Sequence, residues 1–136
     1  MKTTHIEHIG IAVKNLEEAI TFYEKTLGLK CYNIETVIDQ KVRTAFFLVG
    51  QTKIELLESI DAEGPIGKFI VKKGEGMHHI AFAVENLPEA LLEVEERGVQ
   101  LIDSKPRMGA EDLKIAFLHP KSTFGVLTEL CEKKNK

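Results

Sequence analysis

The sequence predicts an α+β fold of two paired βαβββ modules, with a curved, mostly antiparallel sheet around a cleft. Three observations predict it: the sequence repeats once, each copy opens with a strand-like run leading into a capped helix, and neither copy is long enough to be secure alone. Shifted by 71 positions, His8-Ile9-Gly10-Ile11-Ala12-Val13-Lys14-Asn15-Leu16-Glu17-Glu18-Ala19 falls on His79-Ile80-Ala81-Phe82-Ala83-Val84-Glu85-Asn86-Leu87-Pro88-Glu89-Ala90. The identical pairs are His8/His79, Ile9/Ile80, Ala12/Ala83, Val13/Val84, Asn15/Asn86, Leu16/Leu87, Glu18/Glu89 and Ala19/Ala90. Near the end of each copy Ile54-Glu55-Leu56-Leu57-Glu58 faces Thr128-Glu129-Leu130-Cys131-Glu132, now at a shift of 74 after small loop insertions. A copy of about 60 residues is marginal as an independent core, so the two are expected to share one domain over 1–136. Module one takes about 5–58, a linker helix about 64–74 and module two about 77–132.

The elements follow in chain order. Ile6 to Val13 and His79 to Val84 are apolar and rich in branched residues, the signature of strands. A helix follows each, because Asn15 with Glu18, and Asn86 with Glu89, have the spacing of a capping box. Leu16, Ala19, Ile20, Tyr23 and Leu27 then make one apolar stripe, matched by Leu87, Ala90, Leu91 and Val94. Gly28 and Gly98 suit the left-handed residue that closes a helix. Further strands are expected near Lys30 to Val37, Val42 to Val49 and Thr52 to Glu58, and in the second copy near Val99 to Asp103, Leu113 to Leu118 and Gly125 to Cys131. Between the copies, Gly64 to Gly74 reads as a short helix with Pro65 in its first turn.

Composition narrows the function. With 43% hydrophobic and 29% charged residues the chain is expected to bury an ordinary core. Its 18 Lys and Arg against 21 Asp and Glu give a net charge of −3, which offers no excess of cations to release counterions from a polynucleotide. No apolar run approaches the roughly 20 residues that span a bilayer, and Met1 to His5 lacks the apolar core of a secretion signal. A cytoplasmic location without nucleic-acid or membrane partners is therefore expected. Cys31 and Cys131 fit no CxxC or finger spacing and are expected to be inert packing residues.

A duplicated module keeps packing residues everywhere, so its repeated Ile, Leu and Ala need no functional account. Polar identities at inward positions do. His8 and His79 hold equivalent places in the first strand of each copy, and Glu55 and Glu129 in the last. Along the first strand Ile6, His8, Gly10 and Ala12 share one face, and the small neighbours of His8 leave room for a ligand. Glu55 and Glu129 alternate with apolar residues. If these strands line a cleft, two imidazoles and two carboxylates converge, and two buried negative charges without a counter-ion would cost several kcal/mol as an order of magnitude. A divalent cation (Co, Mn, Ni or Zn) removes that difficulty, and four protein ligands leave two open positions in an octahedral shell for substrate.

With those residues in view, the chain resembles the vicinal oxygen chelate superfamily over nearly its whole length. More narrowly it is similar to the methylmalonyl-CoA epimerases, through His8-Ile9-Gly10-Ile11-Ala12-Val13, Thr52-Lys53-Ile54-Glu55-Leu56-Leu57, Gly76-Met77-His78-His79-Ile80-Ala81, Phe117-Leu118-His119-Pro120-Lys121-Ser122 and Gly125-Val126-Leu127-Thr128-Glu129-Leu130. The resemblance implies metal ligands at His8, His79 and Glu129, with Glu55 where the family often has Gln. It also implies an acyl-CoA thioester substrate, a homodimer, and proton transfer at C2 of methylmalonyl-CoA through a metal-stabilised enolate. Glu129 is the expected proton-transfer group, and Glu55 or a cleft water serves the opposite face. Some of these epimerases carry a second acid in the strand before Thr52, where this chain has Thr44. Bacterial lactoylglutathione lyases of the same superfamily use a His, Glu, His, Glu set, so a glyoxalase-type lyase is the first alternative. A metal-free binding protein is the second.

Overall fold

The structure is a computed structural model that describes residues 1–133. Its chain divides into two units, one of residues His8–His78 and the other of Met1–Glu7 with the chain from His79 onward. Each unit carries one copy of the repeat.

In the unit His8–His78, the part of strand β1 (Thr3–Ala12) from His8 onward leads into helix α1 (Leu16–Lys25), then β2 (Cys31–Val37), β3 (Val42–Val49), β4 (Thr52–Ser59) and helix α2 (Pro65–Lys73). The strands lie in the order β2-β3-β4-β1. β2–β3 and β3–β4 are antiparallel, while β1 runs parallel to β4 from His8 opposite Lys53 to Ala12 opposite Leu57. One face packs on α1 through Val13, Leu16, Ala45, Phe47 and Leu56. The opposite face packs on α2, where Ile66, Phe69 and Ile70 cover Ala12, Val42 and Leu57. Alternation along the strands therefore assigns His8, Thr44 and Glu55 to the α2 face.

The other unit holds β5 (Gly76–Val84), α3 (Leu87–Glu96), β6 (Arg107–Met108), β7 (Leu113–Leu118) and β8 (Thr128–Lys133), with strand order β5-β8-β7-β6. β5 runs parallel to β8, and β7 is antiparallel to β8 and to β6. One face packs on α3 through Val84, Leu87, Ala90, Leu91, Ala116, Leu118 and Leu130. The other presents Ala81, Leu113, Ile115 and Cys131, with Ala83 and Phe117 beside them. His79 and Glu129 share the parity of this second face.

Both helices begin as the sequence predicts: the Asn15 and Asn86 side chains accept the amides of Glu18 and Glu89 at 3.0 Å. A second acceptor arrives from the last strand of each module, because Glu58 takes the Leu16 amide at 2.8 Å and Glu132 the Leu87 amide at 2.6 Å. A carboxylate there meets unpaired amides and the positive end of the helix dipole. Gly28 and Gly98 are left-handed, with φ of 71° and 90°.

Three boundaries differ from expectation. Leu27 is half-exposed and lies beyond α1, which stops at Lys25. The strand expected at Val99 to Asp103 is reduced to a bridge between Leu101 and Leu118. There the amides of Ile102 and Asp103 both donate to Phe117 O, and the Asp103 side chain takes the Phe117 amide at 2.9 Å, so no ladder propagates. The edge strand is instead Arg107–Met108, after Pro106. β8 begins at Thr128 and not at Gly125, because Phe124 and Gly125 are left-handed and Gly125 N–H closes a turn onto Pro120 O. Neither cysteine is in a disulfide: Cys131 is buried and Cys31 half-buried.

Candidate functional site

The two modules build one small constellation twice. In the first, His8 on β1 and Glu55 on β4 are both buried, with His8 Nδ1 3.3 Å from Glu55 Oε2. Glu55 stands opposite Gly10 on its parallel side and Phe46 on its antiparallel side. In the second, His79 on β5 and Glu129 on β8 are buried, with His79 Nε2 3.5 Å from Glu129 Oε1. Glu129 stands opposite Ala81 and Phe117. Gly10 and Ala81, like Phe46 and Phe117, are themselves equivalent in the repeat, so each carboxylate has a small residue on one flank and a phenyl ring on the other. The small residue gives the imidazole and carboxylate room to approach. The ring keeps water away and strengthens their electrostatics.

The spacing bears on what the pairs can hold. A charge-assisted N–H···O bond settles at about 2.7–2.9 Å. Two ligands each about 2.1 Å from one ion, at an angle of about 90–110°, stand about 3.0–3.4 Å apart. Separations of 3.3 and 3.5 Å resemble the second arrangement more than the first. Imidazole nitrogen with carboxylate oxygen is also the donor set that first-row divalent ions accept. The residues therefore fit the ion that the sequence calls for.

Other residues of interest are placed differently. His78, on β5, packs edge-to-face on Phe69 at 5.0 Å, and burial with Lys73 nearby pushes its pKa down to about 4. It is a neutral packing imidazole at pH 7. His119 accepts the Lys121 amide at 3.0 Å and so caps a short turn. Thr44 is fully buried between Leu57 and Glu35 in the strand register and supplies no acid.

Two features were not legible from alternation alone. Glu7 is buried although it neighbours His8 along the strand. It lines a cavity of about 280 Å³ together with Thr4, His5, Ala83, Leu113 and Cys131. Phe117, beyond its pairing with Glu129, sets its ring at 82° to the His79 imidazole, with centroids 5.5 Å apart. The recurrence of Phe at a shift of 71 was the available signal for this contact.

Comparison with known proteins adds to this geometry. The family model of the Glyoxalase/Bleomycin resistance protein/Dioxygenase superfamily matches residues 7–117. The chain is 50% identical over 129 residues to the uncharacterized protein YqjC of Bacillus subtilis, covering 95% of this chain and 92% of that one. It is 36% identical over 127 residues to the ethylmalonyl-CoA/methylmalonyl-CoA epimerase of Cereibacter sphaeroides, covering 92% of this chain and 95% of that one. Among solved structures, a methylmalonyl-CoA epimerase in complex with methylmalonyl-CoA and NH4+ is similar at a TM-score of 0.95 and 35% identity, over 98% of this chain and 97% of that one.

Proposed function

The chain belongs to the glyoxalase/bleomycin resistance protein/dioxygenase superfamily, and from that premise we propose that it is a metal-dependent epimerase interconverting (R)- and (S)-methylmalonyl-CoA. The observation that carries this reading is the recurrence of one buried His–Glu pair in each module. In this reading His8, Glu55, His79 and Glu129 are the four ligands of one divalent ion, Co, Mn, Ni or Zn. Such an ion, when bound, supplies positive charge where the thioester oxygen gains negative charge.

The chain's own groups do the remaining work. Epimerisation removes the proton at C2, between a thioester and a carboxylate, and returns it on the other face. Glu129 transfers the proton on one face through a carboxylate oxygen, a role worth about 10²–10⁴-fold in rate for a well-placed acid–base group. Glu55, or a water it orients, serves the other face, since Thr44 has no titratable group. The flanking Phe46 and Phe117 keep bulk water from the carboxylates. We place the enzyme in the cytoplasm as a homodimer, a state that sedimentation equilibrium tests directly.

One observation favours a second reading. With a carboxylate at Glu55, the donor set equals the His, Glu, His, Glu set of the bacterial lactoylglutathione lyases, which also move a proton next to a polarised carbonyl. Side-by-side assays separate the two: racemisation of methylmalonyl-CoA with solvent deuterium uptake at C2, against turnover of methylglyoxal with glutathione. Racemisation is the expected result, and turnover of methylglyoxal with glutathione alone would replace the epimerase by the lyase.

A further inference from the structure

Arg107 is tied to the second His–Glu pair through a single aromatic ring. Its guanidinium carbon lies 5.5 Å from the centroid of Phe117, within the range of a cation–π contact. The same ring meets His79 at 5.5 Å, and Phe117 is the strand partner of Glu129. Asp103 fixes both ends of this arrangement. One of its oxygens accepts the Phe117 amide at 2.9 Å, and the other lies 3.2 Å from Arg107 Nε. Thus the residue that interrupts the expected strand at Val99 to Asp103 also orients a cation beside the candidate site.

Arg107 is built to hold an anion. It sits on the two-residue edge strand β6 and is 44% exposed at its side chain, so a ligand can reach it. Asp103 engages Nε, which leaves the terminal Nη pair to fork a carboxylate. Among the described residues, Asp103 is its one ion-pair partner. Lys121, four residues beyond Phe117, is exposed on a short turn.

We infer that Arg107 is the anchor for the free carboxylate of the acyl group, and so sets the preference of the site for a 2-carboxyacyl thioester over a plain acyl thioester. This rests on the epimerase reading. The substrate brings a carboxylate to a site that already holds Glu55 and Glu129. A preorganised cation one ring away from His79 offsets that charge and fixes which face of C2 is presented to Glu129.

The test compares two ligands that differ only in the carboxylate, methylmalonyl-CoA and propionyl-CoA, by equilibrium binding to the wild-type protein and to Arg107→Gln and Arg107→Lys. The wild type is expected to bind methylmalonyl-CoA about tenfold more tightly than propionyl-CoA, the size of a partly exposed charge-assisted contact. Arg107→Gln should erase that preference and leave propionyl-CoA binding unchanged, and Arg107→Lys should restore part of it. Equal weakening of both ligands in Arg107→Gln would assign the residue to the nucleotide end of coenzyme A and overturn the inference, as would an undiminished preference. Failure of the wild type to bind either thioester would remove the epimerase reading itself, and with it this inference. Because Arg107 is half-exposed, the variants should fold, and an unchanged thermal midpoint checks this.

Discussion

The two modules are built from the same elements, yet their inner faces are covered differently. In module one Ala12, Val42 and Leu57 lie under α2, sealed by Ile66, Phe69 and Ile70. The equivalent residues of module two are Ala83, Leu113 and Cys131, and they line an open cavity of about 280 Å³. The linker helix follows the first copy alone, so duplication has given one module a roof that the other lacks. The lesson is that the His–Glu pair does not depend on that roof: it is buried at 3.3 Å in one module and 3.5 Å in the other. What the pairs do share is the immediate frame of a small residue on the parallel strand and a phenylalanine on the antiparallel one.

This contrast can be broken or sharpened in three ways. The largest expected effect is chemical. Glu129→Gln should lower racemisation by about 10³-fold, measured as loss of C2 deuterium exchange, while Glu55→Gln should cost less, because an amide at that position can still orient the water that serves the other face. Equal losses would mean that the two carboxylates act symmetrically, and full activity in Glu129→Gln would remove it from proton transfer.

Next comes packing. Ala12→Val forces a larger side chain beneath α2 and should destabilise by about 1–3 kcal/mol. The equivalent Ala83→Val has open space on one side and should cost less than 1 kcal/mol in urea unfolding. The smallest effect lies at the helix starts. Glu58→Gln and Glu132→Gln each weaken a carboxylate cap on a helix N-terminus, for about 0.5–1 kcal/mol. Glu58 should cost more of the two, since Arg43 bridges it to Glu17. Identical midpoint shifts in the two variants would show that the Arg43 bridge adds nothing.

Much of this was readable in the chain. The offset of 71 that pairs His8 with His79, and the offset of 74 that pairs Glu55 with Glu129, isolate four polar residues from an apolar repeat. Asn15 and Asn86 announce their helices because capping is local chemistry. What stayed hidden depends on contacts distant in sequence. Alternation gives a residue's parity but not what covers it, so the burial of Glu7 beside His8 could not be seen. The loss of the strand at Val99 to Asp103 follows from one side-chain acceptor, Asp103, taking an amide from β7. Arg107 could not be singled out because its contact with Phe117 exists only once β6 pairs with β7.

The central claim is that the two buried His–Glu pairs are halves of one metal site. The direct measurement is the metal content of protein purified without chelator, for the wild type and for the single variants His8→Ala and His79→Ala. The account predicts one divalent ion per chain in the wild type and strong loss from both variants, since each removes a ligand of the same ion. Two ions per chain, each lost from one variant alone, or a wild type that holds none even after incubation with Co, Mn, Ni or Zn, would contradict it.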